Sequence, residues 1–432
     1  MEKNNFRKIA TITLFESAVQ WYCFLLYGTA AGTVFNKVFF SQTGNGTTAL
    51  ILSYMSFAIG YIAGPFGAIF FGHIGDRKGR KVTMYASLLM MGISTSIIGI
   101  LPPAASAGVG VVIVLQLMRL AQCFGRGGTW GGGILMAYEN VPENKRSFYA
   151  AIPQIGLPIG FGLSSILIAV PTLLLPEDIF FTWGWRIPFL AAIILTVIVI
   201  RQKGEMMETE DYKKAQAKLE AEEAEGKKHK VGFIPMVKGY WKTLLLGCGT
   251  RWVDGTFYNI FIVWILSYCI NWLGMPLIQT YIITIIACIF KIPFTLWCAQ
   301  KLGNTRTFVI GALASAVLSI PTLKVIELSK GNLAITIIGI VLGWSIAYNL
   351  IWAVISSLWS SYFETEVRYS GISFVYHVPS FLVAGMVPTI CTLLINYGKG
   401  DTIYVGIYST VVALISAACA LALKARHDRG EK

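Results

Sequence analysis

Apolar residues run along the chain in twelve long stretches separated by polar segments, centred on 11–34, 49–72, 82–102, 109–138, 147–175, 183–203, 240–268, 276–300, 305–325, 333–360, 370–396 and 403–424. Each matches or exceeds the ~20 residues that carry an α-helix through the hydrocarbon of a bilayer. The pattern predicts an all-α integral membrane protein with twelve transmembrane helices. The fourth and tenth stretches are long, which predicts tilt or extension past the hydrocarbon. One connection differs from the rest. Residues 204–238 hold the charged stretch Glu205–Lys230, within which Asp211–Glu225 has a helix-forming composition. They divide the chain into an N-terminal six-helix bundle, 1–203, and a C-terminal six-helix bundle, 239–432, joined by a cytoplasmic linker. A solvated linker helix and a regulatory surface would both read this way. Two halves of short-looped helices predict a repeat architecture with a central site between them.

Composition agrees with this pattern. Charged residues make up 13% of the 432, about half the ~25% usual in soluble domains, and mean hydropathy is +0.64. The net charge of +13 raises the possibility of nucleic-acid binding. That needs a basic face on a soluble domain, whereas the cations here fall in short clusters between apolar runs. The even-numbered connections carry Arg77, Lys78, Arg80, Lys81, Lys145, Arg146, Lys301, Arg306 and Arg368, while 102–108 and 270–276 carry no charge. The positive-inside rule then places both termini in the cytoplasm and the chain in the cytoplasmic membrane. No nucleic-acid partner is expected. The eight cysteines form no C-x-x-C pair, so neither a disulfide framework nor a metal site is expected. There is no nucleophile–base pair or nucleotide-binding loop, which excludes an enzyme and leaves no cofactor implied. Met1–Lys8 leads into a polar-studded span without a small-residue cleavage site, so no cleaved signal peptide is expected.

Ionisable groups at bilayer depth are costly and are functional candidates by default. Six fall within the spans: Glu16, Arg119, Arg126, Arg251, Asp254 and Lys291. Their neighbours form helical stripes. Glu16, Gln20, Cys23 and Tyr27 share one face of the first span, and Gln116, Arg119, Cys123, Arg126 and Trp130 one face of the fourth. Arg251, Asp254 and Tyr258 do so in the seventh, and Trp344, Tyr348 and Trp352 in the tenth. A central aqueous cavity lined by every third helix would need this pattern. Bland readings stand beside it. Arg251 and Asp254 could pair within one helix, Lys291 could snorkel, and the aromatic residues and His377 could be packing. Gly125, Gly127, Gly128 and Gly131–Gly133 permit close helix approach to the fourth span. Pro153 and Pro158 can bend the fifth.

After the second span comes Gly72-His-Ile-Gly-Asp76-Arg77-Lys-Gly79-Arg80-Lys81. It resembles the loop 2–3 signature of the major facilitator superfamily, G-x-x-x-D-R-x-G-R-[RK]. The resemblance implies a gating latch made of Gly72, Asp76, Arg77, Gly79 and Arg80; a topology determinant is the plainer alternative. Arg119-x-x-Gln122, Gly127-Gly128-x-Trp130-Gly131-Gly132, Pro153-Gln154-x-Gly156-x-Pro158, Trp183-Gly184-Trp185-Arg186, Arg251-x-x-Asp254 and Phe363–Gly371 resemble the metabolite:proton symporter family, which holds shikimate, 2-oxoglutarate, citrate and proline/betaine carriers. The departures are specific. Where that family has E-W-Y-D the chain reads Gln20-Trp21-Tyr22-Cys23, and where it has G-G-E-W the chain has Thr129. Three acids are missing, Arg126 replaces an apolar residue, and Glu16 is an added acid.

The resemblance implies a monomeric secondary transporter in the lipid bilayer, working by alternating access of two bundles on a small-molecule substrate. The cation excess in the core fits an organic anion, since arginine pairs bidentately with carboxylates. Arg119, Arg126, Arg251 and Lys291 are the expected cationic contacts, with most weight on Arg119 and Arg251. Gln20, Tyr27, Tyr258, Tyr348 and Trp352 would line the remainder. Protons are the expected coupling partner, carried by Glu16 or Asp254. An uncoupled carrier or exchanger and a zwitterion symporter are the alternatives; a channel and a non-transporting sensor are the other classes.

Overall fold

The computed structural model describes residues 2–43, 45–78, 80–139, 146–203, 233–301, 304–364 and 367–431. Among the described residues, twelve helical rods follow one another along the chain. In the first half α1 is Glu2–Thr33, α2 Gly46–Lys78, α3 Arg80–Ile100 and α4 Val109–Glu139. Rod α5 comes in two pieces, Arg146–Gln154 and Gly156–Leu174. A π-helical turn, Phe180–Gly184, leads into α6, Arg186–Lys203. In the second half α7 runs Phe233–Asn259 and continues through a π-helical turn, Ile260–Trp264, into Ile265–Asn271. Next come α8, Leu277–Lys301, and α9, Asn304–Leu328. Rod α10 comprises Leu333–Ile340, the π turn Val341–Ala347, Asn349–Trp352 and Ile355–Ser361. Rod α11 comprises Arg368–His377, the π turn Phe381–Gly385 and Val387–Tyr397. The last rod, α12, is Ile403–Asp428.

Among the described residues, ten segments are long and apolar enough to span a bilayer by themselves. Of the other two rods, α1 carries more polar residues, and α11 is divided by its π turn, which leaves Val387–Tyr397 as a shorter apolar helix. Residues 204–232 lie outside the described residues, and Phe233–Gly239 is helical but set off from the spanning part of α7 by a kink at Tyr240 (φ −117°, ψ 17°).

Small residues set the helix spacing within each half. A Cβ on Gly127 would fall 2.4 Å from the Ala68 nitrogen and 2.5 Å from the Gly64 carbonyl, so α4 lies directly against the α2 backbone. On Gly160 a Cβ would fall 2.2 Å from the Ala18 carbonyl, which brings α5 equally close to α1. Without a hydrophobic driving force between helices in lipid, this backbone contact supplies much of the packing. Between the halves, α2 meets α11 where Gly385 faces Tyr61 and Ala58, and α5 meets α8 where Gly162 faces Cys288.

The break in α5 has a local cause. Pro158 has no N–H to give the Gln154 carbonyl one turn earlier. The helix yields at Ile155, and the freed carbonyl accepts from the Trp352 indole of α10 at 3.0 Å. Side-chain rescue of this kind makes an intramembrane proline tolerable.

Candidate functional site

Four buried cations meet where the halves join. Arg119, Arg126, Arg251 and Lys291 are each at most 4% exposed. Arg119 leaves α4 through a gap opened by Gly60 on α2, where a Cβ would lie 2.6 Å from the Arg119 Nε. Its guanidinium is held by the Gln122 side chain and, at 3.4 Å, by the Phe57 carbonyl. Gln122 is itself fixed by the Cys23 carbonyl at 2.9 Å and Thr95 Oγ1 at 2.7 Å. The rings of Phe24, Tyr27 and Phe57 lie 4.4–4.6 Å from the guanidinium carbon. Tyr27 is held in turn by Ser56, which also accepts from Gln116 at 2.5 Å. Arg119 reaches no carboxylate among the described residues, and its Nη2 has no protein acceptor.

Two turns along α4, Arg126 packs over Phe24 and Trp21 and donates to the Tyr376 hydroxyl of α11 at 2.5 Å. The same tyrosine ring lies 4.4 Å from the Arg251 guanidinium. Tyr376 therefore sits between an arginine of each half. Arg251 pairs with Asp254 in its own helix, and the other Asp254 oxygen accepts from the Tyr348 hydroxyl at 2.6 Å. The within-helix alternative for this pair is thus the arrangement observed. Lys291 is fully buried in α8. Its ammonium lies 3.4 Å from the Trp344 carbonyl and 4.7 and 4.4 Å from the Trp344 and Tyr348 rings.

The remaining expected residues join this cluster to different degrees. Trp21 touches both Tyr258 and Trp352, and Trp352 touches Tyr348, so aromatic contact is continuous from α1 to α10. Gln20 is buried beside Trp21, and its amide nitrogen meets no acceptor among the described residues. Glu16 is buried too. It lies five residues, ~7.5 Å along a helix rising 1.5 Å per residue, before Trp21, whose ring the Arg126 guanidinium covers. Gly72 lies within α2, whereas Gly79 and the side chains of Asp76, Arg77 and Arg80 fall outside the described residues.

The cluster is closed toward both faces. On the side bearing the termini, Gln154 and Trp352 bond each other across the halves, and Arg126 meets Tyr376. On the far side, Tyr54 of α2 donates to Ser267 of α7 at 2.7 Å, and Thr33 of α1 meets Tyr281 of α8 at 3.2 Å. Above this second closure a vestibule of about 710 Å³ opens between the halves, lined by Asn36, Asn45, Trp264, Asn271 and Asn396 among others.

Tyr376 and Gly60 were not singled out in the sequence. Tyr376 carries no charge and falls on no polar stripe, and its one signal is adjacency to His377. Gly60 matters only because another helix delivers Arg119 to it.

The family model of the Major Facilitator Superfamily matches residues 21–388. The chain belongs to that superfamily. It is 33% identical to the inner membrane metabolite transport protein YhjE of Escherichia coli K12, over 98% of this chain and 96% of that protein. It is 32% identical to the shikimate transporter of the same organism, over 97% and 94%. The proline/betaine transporter of Salmonella typhimurium is 27% identical over 99% and 85%. Among solved structures, the xylose transporter XylE from E. coli in a partially occluded inward-open conformation superimposes with a TM-score of 0.73 at 15% identity, covering 96% of both chains. The fold and these relatives make the chain a multi-pass secondary transporter of metabolites, not an enzyme.

Proposed function

We propose that the chain carries a small organic anion across the cytoplasmic membrane by alternating access, coupled to protons, with the terminus-bearing face in the cytoplasm. The observation that supports this best is Arg119. It is a permanently charged group at the join of the halves, shielded from water, oriented by Gln122, and left with an unengaged Nη2. A carboxylate would supply the missing acceptor, and a guanidinium recognises one in planar geometry. Arg126 and Lys291 add positive charge from α4 and α8. Arg251 is neutralised by Asp254, so in this reading it orients Tyr376 and Tyr348 and leaves the anion to the other three cations. Gln20, Tyr27, Tyr258 and Trp352 supply hydrogen-bonding and apolar walls.

Thermal unfolding of the purified carrier against mono-, di- and tricarboxylates and against betaines tests the reading. A carboxylate should raise the midpoint, and Arg119→Gln should remove that shift. Stabilisation by betaines alone would overturn the anion assignment in favour of a zwitterion.

A further inference from the structure

A proton carrier in such a site must exist in both charge states, and must meet the substrate. The three arginines cannot lose a proton in a protein. Asp254 already has both oxygens engaged, one by Arg251 and one by the Tyr348 hydroxyl. His377 packs against Gly64 of α2 and feels the charges of Arg126 and Arg251, so a proton there would add a third like charge. Lys291 differs from all of these. Its ammonium has three protons to donate and a single acceptor, the Trp344 carbonyl, at the long distance of 3.4 Å. Otherwise it meets ring faces and no carboxylate among the described residues. As a neutral amine it would strand no partner charge.

The charges and titratable groups around it are few. Tyr348 faces it from α10, and Asp254 of α7 acts on it electrostatically. Its own helix contributes Cys288 and Cys298. The second piece of α5, packed against α8, holds no titratable residue, and the first holds Arg146 and Tyr149 near its start. Tyr268 and Cys269 end α7 toward the far face. The Lys291 backbone is fixed independently of its charge, because its carbonyl accepts from Thr295 at 2.9 Å and Asn349 at 3.1 Å.

We propose that Lys291, and not a carboxylate, carries the coupled proton. This rests on the transport reading above. With the carrier open to the proton-rich side, the neutral Nζ takes a proton from water as the anion enters, forming one N–H bond. The ammonium and one carboxylate cross as a neutral pair. On the other side the anion leaves, the N–H bond breaks and the proton returns to water.

Two measurements test this, one of them free of substrate. Because the ammonium lies over the Trp344 ring, its charge changes that indole's emission. The wild-type carrier should show an emission transition with pH that disappears in both Lys291→Arg and Trp344→Phe. A wild-type titration indistinguishable from that of Lys291→Arg would overturn the proposal. In proteoliposomes, radiolabelled succinate, shikimate and citrate serve as probes, scored by counterflow and by accumulation on a pH gradient. Lys291→Arg keeps the cation but cannot release its proton. It should show reduced but measurable counterflow and no gradient-driven accumulation. Accumulation by Lys291→Arg would overturn the assignment. Wild-type protein without counterflow of any probe would instead remove the anion-transport reading, and the emission titration would still decide whether Lys291 changes charge.

Discussion

Gln154 and Trp352 exchange two hydrogen bonds across the join of the halves. The Gln154 amide donates to the Trp352 carbonyl at 3.1 Å, and the Trp352 indole donates to the Gln154 carbonyl at 3.0 Å. Each carbonyl lies at the end of a helical piece. The contact therefore satisfies backbone groups that would otherwise be stranded in a dry interface, which costs ~1–3 kcal/mol per group.

Trp352→Phe should weaken this closure while keeping the aromatic packing. Spin labels at positions 149 and 362, on the terminus-bearing ends of α5 and α10, should report a broader and longer distance distribution than in the parent. An unchanged distribution would show that the pair does not hold the halves together.

The Arg251–Asp254 pair leads to a different prediction. Removing one member of a buried ion pair leaves an uncompensated charge and typically costs ~3–5 kcal/mol, whereas replacing both costs far less. Arg251→Gln and Asp254→Asn should each lower the thermal midpoint. The double variant should recover part of that loss, and additive losses would mean that the pair is not coupled.

Gly60 tests how Arg119 is positioned. Gly60→Ala puts a methyl group where the Arg119 Nε now lies, so it should abolish carboxylate-induced stabilisation much as Arg119→Gln does. Gly110→Ala is the control, since a Cβ there meets nothing within 4 Å. A Gly60→Ala protein with the parent's ligand response would contradict the positioning role.

At the far face, Lys324 of α9 bonds Glu327 at 3.0 Å and Asp401, just before α12, at 2.7 Å. Glu327 in turn accepts from the Thr402 amide at 2.8 Å. The hydrogen bond from Lys324 holds the Asp401 carboxyl below its ordinary value of 3.8. A depressed carboxylate stabilises the folded state above its unfolded value and loses that contribution as pH falls through the folded one. Acidification below about pH 4 should therefore speed hydrogen exchange at the α12 start in the parent, and Asp401→Asn should flatten that dependence. Asp401 is exposed, so the effect should be small and salt-sensitive.

The sequence by itself determined the all-α membrane fold of twelve rods and the identity of the buried cations. Apolar length dictates a span, and a charge inside one must be retained for a reason. It also carried the stripes on α1, α4, α7 and α10, because helical periodicity survives without knowledge of neighbours. Tertiary structure decided how the charges are partnered. Arg251 and Asp254 on one stripe were compatible with pairing or with a cavity wall, and the position of Tyr348 on another helix accompanies the paired form. The roles of Gly60 and Tyr376 were invisible for the same reason: one is an absence of atoms and the other an uncharged ring. Each acquires its meaning only from an arginine that a distant part of the chain brings against it.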